Sequence, residues 1–262
     1  MSNPNFALQG WIARVLSNAR RSGADGVLSD PTGNRLGTNQ EPYLVTLAGQ
    51  GREMLADEGS YFAAALTTTP GTGISNGAAV TAYSATTPFL IVQNNDALKS
   101  VTLDFLRLTQ TAVPTNATNL RATTDIDQIA RYTSGATSII NAAGATNGSI
   151  ACPRTSQAAP STVAIYGGPL TAAAASQNRK FLATNLTLRT VIAVVGDTWL
   201  LKFGAVGGDY NGAALNGTAP SAFIVPHVPV VIDPGHCFLL TLWAAAQTVA
   251  AAYEVDLGGW LR

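Results

Sequence analysis

The chain has 262 residues, of which 47% are hydrophobic and only 11% are charged, with a formal net charge of zero. A typical soluble domain is about 25% charged, and a free, neutral monomer lies close to its solubility minimum. The balanced charge argues against a nucleic-acid-binding protein, which carries a basic excess. No apolar run reaches the roughly 18 residues of a membrane span. We therefore expect other proteins, or other copies of this one, to cover much of the surface.

The first 21 residues predict an amphipathic helix. Apolar side chains recur there at helical spacing, at Leu8, Ile12, Val15 and Ala19. The following segment, Ser22–Pro42, is rich in Gly, Asp, Asn and Pro, which is typical of a loop. We expect residues 1–42 to form a helical arm and linker that grips a partner. The large apolar side chains proposed to make this contact are Phe6, Trp11, Ile12 and Val15.

Residues 43–262 predict a single all-β domain. Short β-branched and aromatic runs alternate there with clusters of Gly, Pro, Asn and Thr, as in an antiparallel β-sandwich, with a jelly roll as the best single topology. The predicted strands are Tyr43–Leu47, Phe89–Gln93, Ser100–Thr109, Thr162–Tyr166, Thr187–Val195, Thr198–Phe203, Phe223–Pro226, Phe238–Trp243 and Ala252–Leu257.

Two reversals stand out between these strands. Gly196–Asp197 predicts a tight two-residue hairpin turn, and Asp233–His236 predicts a second turn built on proline and glycine. The alternation of apolar residues along Val101–Leu108 is imperfect, so both faces of that strand are expected to be partly covered.

Two other stretches, Thr67–Thr87 and Thr111–Pro160, contain few large apolar residues. They predict long surface loops, or strands that neighbouring subunits order. Within the second stretch, the spacing of apolar residues in Asp125–Tyr132 allows a helical turn. Gly135–Pro153 and Thr155–Asn178 carry no charge at all, and we expect neighbours to cover them.

The segment PHVPVVIDPGHC holds the most suggestive chemistry. Imidazole, carboxylate and thiol are all zinc ligands, and the segment contains His227, Asp233, His236 and Cys237. An enzyme resembling a cupin or a hydrolase would use the first three. The chain has only two histidines, too few for a cupin site, so a turn followed by a buried strand is the favoured interpretation. The two cysteines, Cys152 and Cys237, are expected to be ordinary buried thiols rather than a disulfide.

Other motifs favour packing over catalysis. Gly71–Gly77 looks like a phosphate-binding loop but lacks the flanking strand, helix and lysine, so a turn or loop is predicted. Three tryptophans are expected to pack in the core or in an interface, with a sugar-binding platform as the alternative: Trp199, Trp243 and Trp260. The sequence thus predicts a protein that is not an enzyme and has no metal, cofactor or small-molecule substrate.

Two blocks carry a resemblance to a known class of proteins. GREMLADEGSYFAAALTTTPGTGI, residues 51–74, and the C-terminal VIDPGHCFLLTLWAAAQTVAAAYEVDLGGWLR resemble virion structural proteins of tailed bacteriophages, namely capsid decoration (cement) and minor head proteins. The resemblance implies a jelly-roll homotrimer, made in the host cytoplasm and seated on the major capsid protein at the capsid surface. It carries over no functional residue. The alternative is a tail-associated or spike protein that binds a host surface glycan.

Overall fold

The computed structural model describes residues 59–113, 115, 119–205 and 220–262, together with three short strands nearer the N-terminus. The chain divides into two compact units, Met1–Gly51 and Arg52–Arg262. In the first unit, β1 (Arg20–Ser22), β2 (Val27–Ser29) and β3 (Arg35–Leu36) form an antiparallel sheet.

The predicted helical arm is therefore tested only at its end. Arg20 and Arg21 lie in β1, so the predicted helix does not extend to them. The prediction of a loop over Ser22–Pro42 is wrong in part, because this segment contains β2 and β3. The other residues of the predicted arm and linker, the predicted boundary at residue 42 and the predicted strand Tyr43–Leu47 lie outside the described residues, as do the proposed contact residues Phe6, Trp11, Ile12 and Val15.

Every regular element described in the second unit is a β-strand, and no described helix is long and apolar enough to cross a membrane. The strands are β4 (Tyr61–Ala65), β5 (Ile74–Ser75), β6 (Leu90–Asn94), β7 (Val101–Ala112), β8 (Leu120–Asp127), β9 (Tyr132–Ser134), β10 (Ser138–Asn141), β11 (Gly144–Thr146), β12 (Ser149–Ala151), β13 (Val163–Gly167), β14 (Thr171–Ala172), β15 (Lys180–Arg189), β16 (Thr198–Phe203), β17 (Ala222–His227), β18 (Val230–Ile232), β19 (Cys237–Trp243) and β20 (Ala252–Leu261).

These strands build two large sheets and one small ribbon. The eight-stranded sheet has the order β12-β4-β20-β7-β16-β17, with β5 beside β20 and β18 beside β7. The seven-stranded sheet has the order β11-β10-β13-β6-β19-β8-β15, and β14 pairs with β9 in the ribbon. Pairing is antiparallel throughout these sheets except between β16 and β17.

The strand order is that of a jelly roll. Taken from the outside inwards, β4 pairs with β20, β6 with β19, β7 with β16 and β8 with β15, which makes four nested antiparallel pairs. Two further pairings, β20 with β7 and β19 with β8, roll this nested hairpin into two packed sheets. The predicted all-β jelly-roll sandwich is confirmed. Residues 128–179, which hold β9–β14, form an insertion between β8 and β15.

The core lies between the two sheets. Trp199 is its largest fully buried side chain, and the indole Nε1 donates a hydrogen bond to the carbonyl of Leu188 at 2.8 Å. The prediction that this tryptophan packs inside is confirmed. Around it lie side chains from both sheets, among them Phe62, Leu106, Phe238 and Tyr253.

The imperfect alternation along β7 has a local cause. Phe105 lies opposite Gly258 of β20 and Leu103 lies opposite Gly259, so the register shifts at Asp104, which makes a β-bulge. The extra residue inverts the alternation, so that side chains after the bulge point to the opposite face from the one that regular alternation would give them. Leu103 before the bulge and Leu106 after it consequently both lie in the core.

The predicted hairpin at Gly196–Asp197 is wrong. β15 ends at Arg189 in the seven-stranded sheet, and β16 belongs to the eight-stranded sheet, so the turn carries the chain from one sheet to the other. The turn itself is present, since the amide of Asp197 donates to the carbonyl of Val194 at 3.0 Å. Arg189, the last residue of β15, and Asp197 in the turn form a buried ion pair. Since buried charges are costly without a partner, this pair holds the end of β15 to the turn.

The interpretation of Thr111–Pro160 as surface loops is also wrong in part. It contains five strands, and β8 lies between β19 and β15 in the sandwich. Leu120 and Ala122 of β8 are core residues, and Asp125 is part of this strand rather than of a helical turn. By contrast, Thr67–Thr87 is mostly loop, as predicted, and contains only the short β5.

Other local predictions are confirmed. The amide of His236 donates to the carbonyl of Asp233 at 3.0 Å, which closes the predicted turn. Gly71 lies in a turn with a positive φ of 85°, as expected of a loop glycine. Both cysteines are buried thiols, and they form no disulfide with each other.

Candidate contact surface

The two sheets differ in what covers their outer faces. The insertion packs against the outer face of the seven-stranded sheet and creates a second apolar cluster, in which the rings of Tyr132 and Tyr166 stack 3.7 Å apart. The buried members of this cluster are Ile91, Ala164, Tyr166, Leu170, Ala172, Cys237 and Leu239. The chain thus supplies its own cover on this side.

The outer face of the eight-stranded sheet carries a trough of about 750 Å³. It crosses β12, β4, β20, β7, β16 and β17, and six strands at the usual spacing of about 4.8 Å span about 24 Å. The trough is lined by Ala63, Ala64, Ala65, Asp104, Phe105, Arg107, Ser149, Ala151, Leu200, Lys202, Ile224, Asp256 and Leu257.

Small and apolar side chains dominate this surface. Ala63 and Ile224 are exposed, and Ala65, Phe105 and Leu200 are half-buried. An antiparallel sheet that faces water on one side normally carries polar residues there. A contiguous apolar surface with a few polar groups is instead typical of an interaction site. We therefore treat the trough as the candidate contact surface.

An ion pair lies at the centre of the trough. Arg107 donates through Nε to Asp256 Oδ2 at 2.9 Å and through Nη2 to the same oxygen. The side chains are 54% and 28% exposed, so the pair adds little to folding stability. Its remaining donors and acceptors are available to a partner, and Lys202 adds a third charge to the lining.

Two aromatic rings flank the trough. Tyr61 stacks on Trp260 with ring centroids 6.5 Å apart, and the hydroxyl of Tyr61 donates to Asp104 Oδ2 at 3.0 Å. Trp243, the third tryptophan considered above, instead lies beneath the guanidinium of Arg121 and donates to Thr123 Oγ1.

The surface carries fewer charged residues than the composition of the chain indicates, because some charged residues are buried. Six of the 18 charged residues among the described positions of 59–262 are buried. These six are Asp104, Asp125, Asp127, Arg131, Arg189 and Asp197. Only the remaining 12 charged residues contribute to the described surface of this unit.

The structure brings three of the four candidates to one place: Asp233, His236 and Cys237 line a small cavity of about 60 Å³, whereas His227 does not. His227 is buried, with Nε2 at 2.7 Å from Thr124 Oγ1 and Nδ1 at 2.9 Å from the carbonyl of Val228, and burial lowers the pKa of its imidazole. Asp233 lies in the turn after β18 and accepts a hydrogen bond from Ser100 Oγ.

Cys237 also packs beneath the insertion. Its thiol donates to the carbonyl of Ile129 at 3.1 Å, and burial raises the pKa of the thiol to about 12. A thiol of this kind is not a reactive nucleophile at neutral pH. Among the described residues, no group of three or more His, Cys, Asp and Glu side chains is placed to hold a metal ion.

Sequence reasoning did not assemble one group of charged side chains, an ion cluster formed by the buried Asp125, Asp127 and Arg131 with the partly exposed Arg179. The two acidic residues alternate on β8 and so share a face of the sheet. That spacing was the available signal, but the strand itself was not recognised.

Comparison of the chain with protein-family models, with curated proteins and with solved structures finds no match. The chain's own residues and their geometry are therefore what bears on its function.

Proposed function

We propose that this protein is a non-enzymatic structural protein of a bacteriophage virion, which binds between capsomers of the capsid and stabilises the shell as a decoration or minor head protein. The observation that carries the proposal is the mostly apolar outer face of the eight-stranded sheet, which the described residues leave exposed as a trough. Jelly rolls occur in viral capsid domains, but also in lectins and cupins, so the fold alone does not decide the function.

The contact area sets the scale of the binding energy. Strands of five to six residues are about 17–20 Å long, so a face six strands wide measures roughly 400 Å². Full burial of that area as apolar surface would contribute at most about 10 kcal/mol. Association costs offset much of this amount. One such face therefore binds usefully but needs a second contact to clamp two capsomers.

The predicted arm is our candidate for that second contact. Its apolar stripe includes Trp11, Ile12 and Val15, with Phe6 preceding them. An arm and a body joined by a linker bind as a bivalent unit, whose avidity exceeds the affinity of either contact. We propose that the partners are the major capsid protein and further copies of this chain in a homotrimer.

The arm gives a direct test. A variant lacking residues 1–21 is expected to lose binding to purified tailed-phage capsids while keeping the circular dichroism spectrum of the β domain. Co-sedimentation of wild-type and truncated protein with the capsids measures this. Full occupancy by the truncated protein would show that the arm is not a contact.

The stacked pair of Tyr61 and Trp260 beside the trough favours a second candidate, a tail-associated or spike protein that binds a host surface glycan. Aromatic faces flanked by carboxylates and an arginine suit sugar rings and their hydroxyl groups. Glycan-array binding by the isolated protein, lost in Trp260→Ala, would favour this second function over capsid decoration.

A further inference from the structure

The ion cluster lies where the insertion begins after β8 and where it ends before β15. Between these two ends, β10, β11 and β13 belong to the seven-stranded sheet and β12 to the eight-stranded sheet. Asp127 is the last residue of β8, and Arg179 immediately precedes β15. Asp125 lies two residues before the exit, and Arg131 lies four residues beyond Asp127. The four charged groups therefore hold both ends of the insertion, residues 128–179.

Arg131 is the centre of this arrangement and is fully buried. Its Nη1 lies 3.8 Å from Asp125 Oδ2 and 3.6 Å from Asp127 Oδ2. Its Nε and Nη2 donate to the carbonyl of Ala173 at 3.0 and 2.8 Å, and Nη2 also donates to the carbonyl of Ala85. One side chain thus links the start of the insertion, its end and the loop before β6.

The two carboxylates are not equally well satisfied. Asp127 accepts hydrogen bonds from the amide of Ser176 at 3.0 Å and from the hydroxyl of the same residue. Asp125 Oδ2 is buried without a hydrogen-bond partner, and so is Nη1 of Arg131. Arg179 Nε lies 3.7 Å from Asp125 Oδ2, beyond hydrogen-bonding distance. An ionised carboxylate oxygen in such a site is costly.

Burial raises the pKa of Asp125 to about 6. The positive charges of Arg131 and Arg179 lower this pKa in part, and the negative charge of Asp127 raises it further. Two other titratable groups face the cluster. The hydroxyl of Tyr83 accepts from Arg179 Nη1 at 3.1 Å, and burial raises its pKa above the ordinary value of 10.0.

Cys237 is the second of these groups, and its raised pKa keeps the thiol protonated at neutral pH. Beyond Asp127, a small cavity of about 60 Å³ is lined by further charged or titratable groups, among them Lys180, Asp233 and His236.

We propose that the ion cluster is a proton-sensitive clasp: the closed insertion takes up a proton at Asp125 that the opened insertion releases, so mild acid holds the insertion shut more firmly. The sign follows from linkage, because the state that binds more protons gains stability as the pH falls. Deprotonation near neutral pH leaves a poorly satisfied carboxylate in the closed state and favours opening.

Native-state hydrogen exchange on the full chain tests the clasp at pH 5.0 and pH 7.5, with protection factors corrected for intrinsic exchange. A closed-state pKa of about 6 and an ordinary value of 3.8 in the opened state predict that protection of the two end segments of the insertion, residues 128–136 and 168–179, rises about tenfold at pH 5.0. Equal or weaker protection at pH 5.0 in the wild-type protein would overturn the proposal.

Variants separate Asp125 from other titrating groups. Asp125→Asn is expected to abolish the pH difference, whereas Asp96→Asn, an acidic side chain outside the cluster, is expected to retain it. A difference that persists in Asp125→Asn would assign the effect to another group, such as His236, and would refute the clasp. If Asp125→Asn does not fold, Arg179→Gln removes one attracting cation and is expected to shift the midpoint of the pH dependence upwards. An unchanged midpoint would count against Asp125.

Discussion

The Asp197→Ala variant is expected to lose about 3–5 kcal/mol of unfolding free energy. The Asp197 carboxylate pairs with Arg189, and both side chains are fully buried. It also accepts hydrogen bonds from the amides of Val194 at 2.7 Å and Ser221 at 3.0 Å. Its removal leaves the buried guanidinium without this counter-charge and two amides without their acceptor.

Urea denaturation followed by circular dichroism measures this loss. Asp256→Ala is the matched control, since it removes a carboxylate from the partly exposed pair with Arg107, and we expect it to cost less than about 1 kcal/mol. Equal losses in the two variants would show that the crossing between the sheets does not depend on the buried pair.

Trp199→Ala is the second substitution with a large expected effect, about 3–5 kcal/mol. The ring is fully buried, stacks on Phe223 at 6.3 Å and meets the edge of Tyr253 at 6.4 Å. Its loss leaves a cavity between the sheets and removes the donor to the carbonyl of Leu188.

The same denaturation experiment separates packing from the hydrogen bond. Trp199→Phe keeps an aromatic ring but removes the N–H, so we expect a smaller loss than for alanine. Trp260→Ala, at a half-buried ring on the outer face, serves as the surface control. A Trp260→Ala loss as large as that of Trp199→Ala would place the stabilising aromatic contacts outside the sandwich rather than within it.

Strands with strong local signals were predicted from the sequence. Thr198–Phe203 matches β16 residue for residue, and Phe238–Trp243 lies within β19, because β-branched and aromatic runs bounded by turns fit a half-buried pleated surface. The jelly-roll class followed from the number of such runs and the scarcity of helical patterns.

Features that depend on distant partners were not predictable. β8 reads LRATTDID, which alternates but has only Leu120 and Ile126 as large apolar residues, so the strand was not distinguished from the loop-like stretch around it. The turn at Gly196–Asp197 was recognised locally, but the sheet that each flanking segment joins depends on pairing with residues far along the chain. The bulge at Asp104 likewise depends on the register of β20.

The candidate surface and the clasp share this difficulty. The trough is lined by residues of six strands, from Ala63 to Leu257, and no local spacing reveals that these strands form one surface. The clasp combines three residues close in sequence, Asp125, Asp127 and Arg131, with Arg179 from the far end of the insertion. The helical arm remains a prediction.

Capsid occupancy of Ala63→Glu tests most directly the claim that the outer face of the eight-stranded sheet is a contact surface. Ala63 is exposed in the trough, and Ala245 is exposed outside its lining. We expect Ala245→Glu to bind purified capsids like the wild-type protein. Burying an unpaired carboxylate costs more than about 2 kcal/mol, so Ala63→Glu should bind at least about tenfold more weakly. Wild-type occupancy by a folded Ala63→Glu variant would contradict the claim.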